Sequence, residues 1–186
     1  MRSCLRRALA ALVAALCALP AGAPAQSPPT EAQVKAAMIY NFAKYVDWPA
    51  DAFASPQAPI ILCEVGRHTL GEFLAALEGR TVGPRAVLLR RAVAPDETRD
   101  CSIVFASEAE ERRLAQILRG AAAARALTVG AIEGFAARGG MIGIVQTENR
   151  LQFEINNGAA QRAGLKISSQ LLRLARRVLD ERTREP

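Results

Sequence analysis

The chain has 186 residues, 51% of them hydrophobic, with 24 basic side chains against 18 acidic ones and a formal net charge of +6. That length and apolar content suffice for a domain with a sizeable core and exclude a disordered or low-complexity chain. The basic balance is no nucleic-acid signature, because the arginines are scattered among acids and not gathered into a stripe.

Residues 1–25 read as a cleaved signal peptide. Arg2, Arg6 and Arg7 form a basic start, Ala8 to Leu19 an apolar run too short to span a bilayer, and Ala23-Pro24-Ala25 a small-x-small cleavage site before Gln26. Leu16 stands where a lipobox before Cys17 would need a small residue, so a lipid anchor is not expected. Without the leader, 161 residues remain, carrying 21 basic against 18 acidic side chains. Nothing later offers about 18 consecutive uncharged apolar residues, so no direct membrane insertion is expected. Cys4 and Cys17 leave with the leader. Cys63 and Cys101 then form an even pair in an oxidising compartment, which predicts one disulfide closing a loop of 38 positions and contributing roughly 3–4 kcal/mol.

After a flexible segment over 26–34, the aromatic-poor chain concentrates Tyr40, Phe42, Tyr45 and Trp48 within nine residues. At 100° per residue Met38, Ile39, Phe42, Tyr45 and Val46 share an apolar arc of about 120°, whereas Tyr40 lies opposite, beside Lys44 and Asp47. The pattern predicts an amphipathic helix ending at Trp48, because Pro49 disfavours helical geometry there. Ile60 to Val65 reads as a buried strand ended by Gly66. Leu70, Phe73, Leu74 and Leu77 follow at helical spacing, and Ala86 to Leu89 reads as the next strand. Ile103 to Ala106 is a third. Ser107 is expected to cap a helix with Leu114, Ile117 and Leu118 inside and Glu108, Glu110 and Glu111 in its first turn. Leu127 to Val129 gives a fourth strand.

Gly139-Gly140 then turns the chain into Met141 to Val145, which pairs with Leu151 to Ile155 across Glu148-Asn149-Arg150 as an antiparallel hairpin at a sheet edge, followed by a cap at Asn156 or Asn157. A closing helix capped by Ser168 or Ser169 gathers Leu171, Leu172, Leu174, Ala175, Val178 and Leu179 on one face. The expected fold class is α/β. One domain over 35–180 holds a largely parallel central sheet flanked by helices, with a C-terminal antiparallel hairpin and a closing helix, and a flexible tail over 181–186.

The catalytic inventory is thin. His68 is the sole histidine, no Gly-x-Ser-x-Gly elbow accompanies it, and neither phosphate-binding glycine motif is present. One histidine beside two oxidised cysteines makes no zinc site. No cofactor and no enzymatic activity are expected; a domain so equipped binds and does not react.

Three blocks resemble the YfiR-like family: Lys35-Ala-Ala-Met-Ile-Tyr-Asn-Phe-Ala-Lys-Tyr-Val-Asp-Trp-Pro49; Gly139-Gly-Met-Ile142 through Leu151-Gln-Phe-Glu-Ile-Asn156; and Ala163-Gly-Leu-Lys-Ile-Ser-Ser-Gln-Leu-Leu-Arg-Leu-Ala175. Cys63 and Cys101 look like that family's cysteine pair. The resemblance implies a non-enzymatic periplasmic repressor that binds the sensory region of an inner-membrane diguanylate cyclase, lowers cyclic di-GMP and biofilm-type output, and is sequestered by an OmpA-like outer-membrane lipoprotein. A homodimer is compatible with it. The expected contact residues are Tyr40 and Trp48, with Phe153, Glu154 and Leu165 as a second cluster. Replacing Tyr40 by Ala is expected to weaken partner binding at little cost in stability. The rival reading is a periplasmic small-ligand receptor with a pocket at the carboxyl ends of the parallel strands, near His68, Ser107 and Gly130.

Overall fold

The computed structural model describes residues 28–67, 70–148 and 150–180. The leader, Cys4, Cys17, His68, Asn149 and the 181–186 tail lie outside the described residues. Helix α1 spans Glu31–Lys44. It begins inside the segment expected to be flexible because Thr30 and Gln33 form a capping box. Gln33 N–H donates to Thr30 Oγ1 at 3.3 Å, and Thr30 N–H to Gln33 Oε1 at 2.7 Å. It also ends earlier than Trp48. Val46–Asp47 already form the short strand β1, whose partner strand lies far along the chain.

Next come β2 (Ile60–Val65), α2 (Gly71–Ala75), β3 (Thr81–Val82), β4 (Arg85–Val93) and β5 (Ile103–Ala106). A 3₁₀ segment over Glu108–Arg113 leads into α3 (Leu114–Ala123), followed by β6 (Leu127–Gly130), β7 (Ile142–Thr147) and β8 (Arg150–Asn156). The chain closes with α4 (Asn157–Arg162), β9 (Lys166–Ile167), α5 (Ser169–Leu174) and β10 (Arg177–Leu179). Eight strands form one sheet in the order β10-β8-β7-β6-β5-β2-β4-β3, and β1 pairs antiparallel with β9. The five strands β4, β2, β5, β6 and β7 run parallel; β8 and β3 pair antiparallel with β7 and β4. A parallel sheet must be covered on both faces. Ile60, Leu62, Ile103 and Phe105 accordingly join the core beneath α1, while Cys63, Val65, Val104 and Ala106 join the core beneath α3.

Sequence order jumps sideways in the middle of the sheet. From β2 the chain moves outward to β4, then returns to lay β5 on the other side of β2 before continuing to β6. The carboxyl ends of β2 and β5 therefore flank a switch point, with Val65 opposite Ala106 and Ala106 opposite Gly130.

Three local expectations are corrected. Ser107 makes no capping hydrogen bond, because the chain enters a 3₁₀ turn there in place of an α-helical one. The closing helix is only Ser169–Leu174; Val178 and Leu179 leave it and pair with Ile155 and Asn156 as a parallel edge strand. That added strand places the β7–β8 hairpin one position in from the edge. Ser168 does cap α5 through Leu171 N–H at 3.2 Å, and Asn156 caps α4 through Ala159 N–H at 2.9 Å. At the entrance to the hairpin Gly139 has φ +103°, and a Cβ on Gly140 would run into the Phe135 ring, so the glycine pair serves the turn and its packing.

Candidate functional site

Cys63 on β2 and Cys101, just before β5, are joined as a disulfide with Cα atoms 5.9 Å apart. Both are buried in the core beneath α3. The bond ties the strand at the switch point to the turn entering its neighbour.

The aromatic block is split by α1 into a buried and an accessible part. Phe42 is 2% exposed and meets Phe153 of β8 edge to face, with ring centroids 5.0 Å apart. Tyr40 lies on the other side of the helix, half-buried, and its hydroxyl donates to the Thr81 carbonyl of β3 at 2.8 Å. The Lys44 ammonium stands 4.2 Å over its ring and the Arg80 guanidinium 5.3 Å away. Tyr40 is thus an anchor for the β3–β4 hairpin as well as a surface ring.

Trp48 follows β1 and packs edge to face on Phe53 at 6.0 Å. Arg85 of β4 lies 3.7 Å above the Phe53 ring and donates to the carbonyls of Ser55 and Ala58 at 2.8 and 2.7 Å. Together Lys44, Trp48, Phe53, Val82 and Arg85 line an open cleft of about 290 Å³. The Trp48 Nε1 is buried in this arrangement and has no hydrogen-bond partner among the described residues. Tyr40 and Trp48 therefore flank one patch, with Lys44 and the β3–β4 turn between them. Its chemistry is aromatic with a cationic rim. Phe53 and Arg85 escaped the sequence reading because they sit in a turn-rich stretch and beyond a Gly83-Pro84 turn, with no periodicity to mark them.

The second expected cluster is not brought together. Phe153 and Glu154 are neighbours on β8 and so point to opposite faces of the sheet. Phe153 packs on α1, while Glu154 is paired loosely with Arg176 at 3.9 Å. Leu165 is 1% exposed and belongs to the core, so it backs the surface and offers none of its own.

Across α1 from Tyr40, near the helix start, Lys35 is only 9% exposed. Its ammonium lies 2.7 Å from Glu31 Oε1 and donates to Glu108 Oε1 at 2.9 Å. Burial alone would lower its pKa, but hydrogen bonds and charge from the two carboxylates outweigh burial and hold it above the ordinary 10.5. Among the described residues no helix is long and apolar enough to cross a membrane, and no group of three His, Cys, Asp or Glu is placed to hold a metal ion.

The sequence profile described as YfiR/HmsC-like matches residues 32–176, which takes in α1 but for its first residue and every later helix and strand through α5. The fold is similar to the crystal structure of a conserved domain protein from Vibrio cholerae O1 biovar eltor, with a TM-score of 0.58 at 13% identity. The alignment covers 82% of this chain and 61% of that one, so the chain spans under two thirds of its structural relative. A search of curated proteins finds no match.

Proposed function

Since the chain belongs to the YfiR/HmsC-like family, whose members are periplasmic regulatory proteins, we propose that it represses an inner-membrane diguanylate cyclase by binding that enzyme's periplasmic sensory region. The family match over residues 32–176 carries this reading. In it, residues 1–25 direct export and are removed, and an OmpA-like outer-membrane lipoprotein withdraws the repressor from the cyclase. Repression of this kind requires tighter binding to the inactive conformation of the cyclase than to the active one, since only differential affinity moves an equilibrium.

The contact face in this proposal is the Tyr40–Trp48 patch. Aromatic rings with a cationic rim suit a partner surface that is apolar at its centre and acidic around it, and interface centres are enriched in such rings. Phe153 packs on the buried Phe42 and Leu165 lies in the core, while Glu154 lies on the other face of β8 as a separate candidate. The test is capture of the purified cyclase sensory region by this protein, with cellular cyclic di-GMP measured alongside. Trp48→Ala is expected to weaken capture at least tenfold, and deletion of the gene to raise cyclic di-GMP. Unchanged nucleotide on deletion removes the repressor assignment; unchanged capture by the variant moves the contact elsewhere.

A further inference from the structure

The carboxyl ends of β2 and β5 flank the switch point of the sheet, the place where open α/β folds take their ligands. In this molecule that place is not filled. A cavity of about 230 Å³ lies there, between the first turns of α1 and the sheet, walled by Ala32, Leu70, Phe105 and Ala131. Its volume falls below the roughly 300 Å³ at which pockets for drug-sized molecules begin, so only a smaller molecule fits it.

Two polar groups on the cavity wall have unused capacity. Ser107, directly after β5, is 3% exposed, and its Oγ is buried without a hydrogen-bond partner among the described residues. Its position before a run of acidic residues suits a helix cap, yet it caps nothing. An unsatisfied buried hydroxyl costs free energy, so its retention calls for a partner. Lys35 has three ammonium donors, of which Glu31 and Glu108 take two. Both glutamates are at least half exposed and also line the cavity.

We propose that this cavity binds a small zwitterion of the α-amino-acid type with an aliphatic side chain. The charge arrangement selects that class. A simple anion reaching Lys35 would meet two carboxylates at its flanks, and a simple cation reaching the carboxylates would meet the lysine. A molecule carrying both signs a few ångströms apart pairs with each: its carboxylate takes the third Lys35 donor and the Ser107 hydroxyl, and its ammonium donates to the outer oxygens of Glu31 and Glu108. The side chain then lies against Ala32, Leu70 and Ala131, above the buried Phe105 ring.

The test is calorimetric titration of the purified chain, as processed by the expressing cell, with alanine, valine and leucine. Isoamylamine and 4-methylpentanoate serve as the two singly charged counterparts of leucine. At least one amino acid is expected to bind saturably at one site, with each counterpart of leucine at least tenfold weaker than leucine itself. Binding by none of the three amino acids, or equal binding by amine or acid alone, overturns the proposal. Ser107→Ala is expected to weaken the amino acid at least tenfold while leaving the melting temperature unchanged or higher, because it removes an unpaired buried hydroxyl. Glu108→Gln, at an exposed position, weakens it at least fivefold. Full affinity in Ser107→Ala would place the ligand elsewhere and overturn the assignment. No partner protein enters these measurements, so this proposal and the regulatory reading fail separately.

Discussion

At its amino end α1 carries Lys35 into the wall of a cavity and holds it between two carboxylates, whereas at its carboxyl end Lys44 stays in water above the Tyr40 ring. Lys35 and Lys44 are nine positions apart, about 14 Å at 1.5 Å of rise per residue along one helix. Their chemistry differs in what it can recognise. The Lys35 end is a concave site with polar capacity left over, fit for a small polar molecule. The Tyr40 end is an open aromatic patch whose cations already lie on rings or bind carbonyls, fit for another protein's surface.

The largest effect is expected where the two ends share a seat. Phe42 seats the carboxyl half of α1 in the core they share, 2% exposed and packed on Phe153. Phe42→Ala should cost about 3–5 kcal/mol in urea unfolding, since it removes a buried ring and leaves a void beneath the helix. It should weaken partner capture and amino-acid binding together. If one is lost and the other kept, the two ends are independent sites on a helix that tolerates local repacking.

This linkage marks the limit of what the sequence discloses. The alternation of strands and helices, the Met141 to Ile155 hairpin and the Asn156 cap are legible because each is written in neighbouring residues. Val178 and Leu179 fit the helical spacing set by Leu171 and Leu174, but β8 offers them an open edge and backbone pairing prevails. Lys35 and Glu108 are 73 positions apart, and Tyr40 and Thr81 are 41 apart, so neither contact has a local signature. Glu108 reads convincingly as helix-dipole compensation until the fold delivers a lysine to it. The sequence likewise points to Tyr40 as a ring on the wrong face, without saying that β3 already uses its hydroxyl.

A smaller effect, confined to the amino end, sharpens the comparison. Lys35→Met keeps the apolar stem and removes the ammonium. The loss should be about 1–2 kcal/mol, because two charge-assisted hydrogen bonds disappear but both glutamates regain water. The pH dependence has a defined sign. The pKa of Lys35 is raised by folding above 10.5, so its contribution is fully present below that value and is lost as pH rises through the folded pKa. Urea unfolding at pH 9 and pH 11 should therefore show a decline in the parent chain that is reduced in Lys35→Met. An equal decline in both would assign the alkaline sensitivity to other groups.

The smallest expected effect separates the two functions of Tyr40. Tyr40→Phe removes one hydrogen bond to a carbonyl at an exposed site and keeps the ring beneath Lys44, so the cost should be about 0.5–1 kcal/mol. Tyr40→Ala removes the ring as well and releases the β3–β4 hairpin from the helix. If the ring belongs to the partner surface, Tyr40→Phe binds the cyclase sensory region as well as the parent, although it melts slightly lower, while Tyr40→Ala loses both stability and binding. The ratio of the two losses is the informative quantity. Binding that falls only in proportion to stability in both variants makes Tyr40 a strut for β3, and leaves Trp48, at the edge of the open cleft, as the ring that meets the partner.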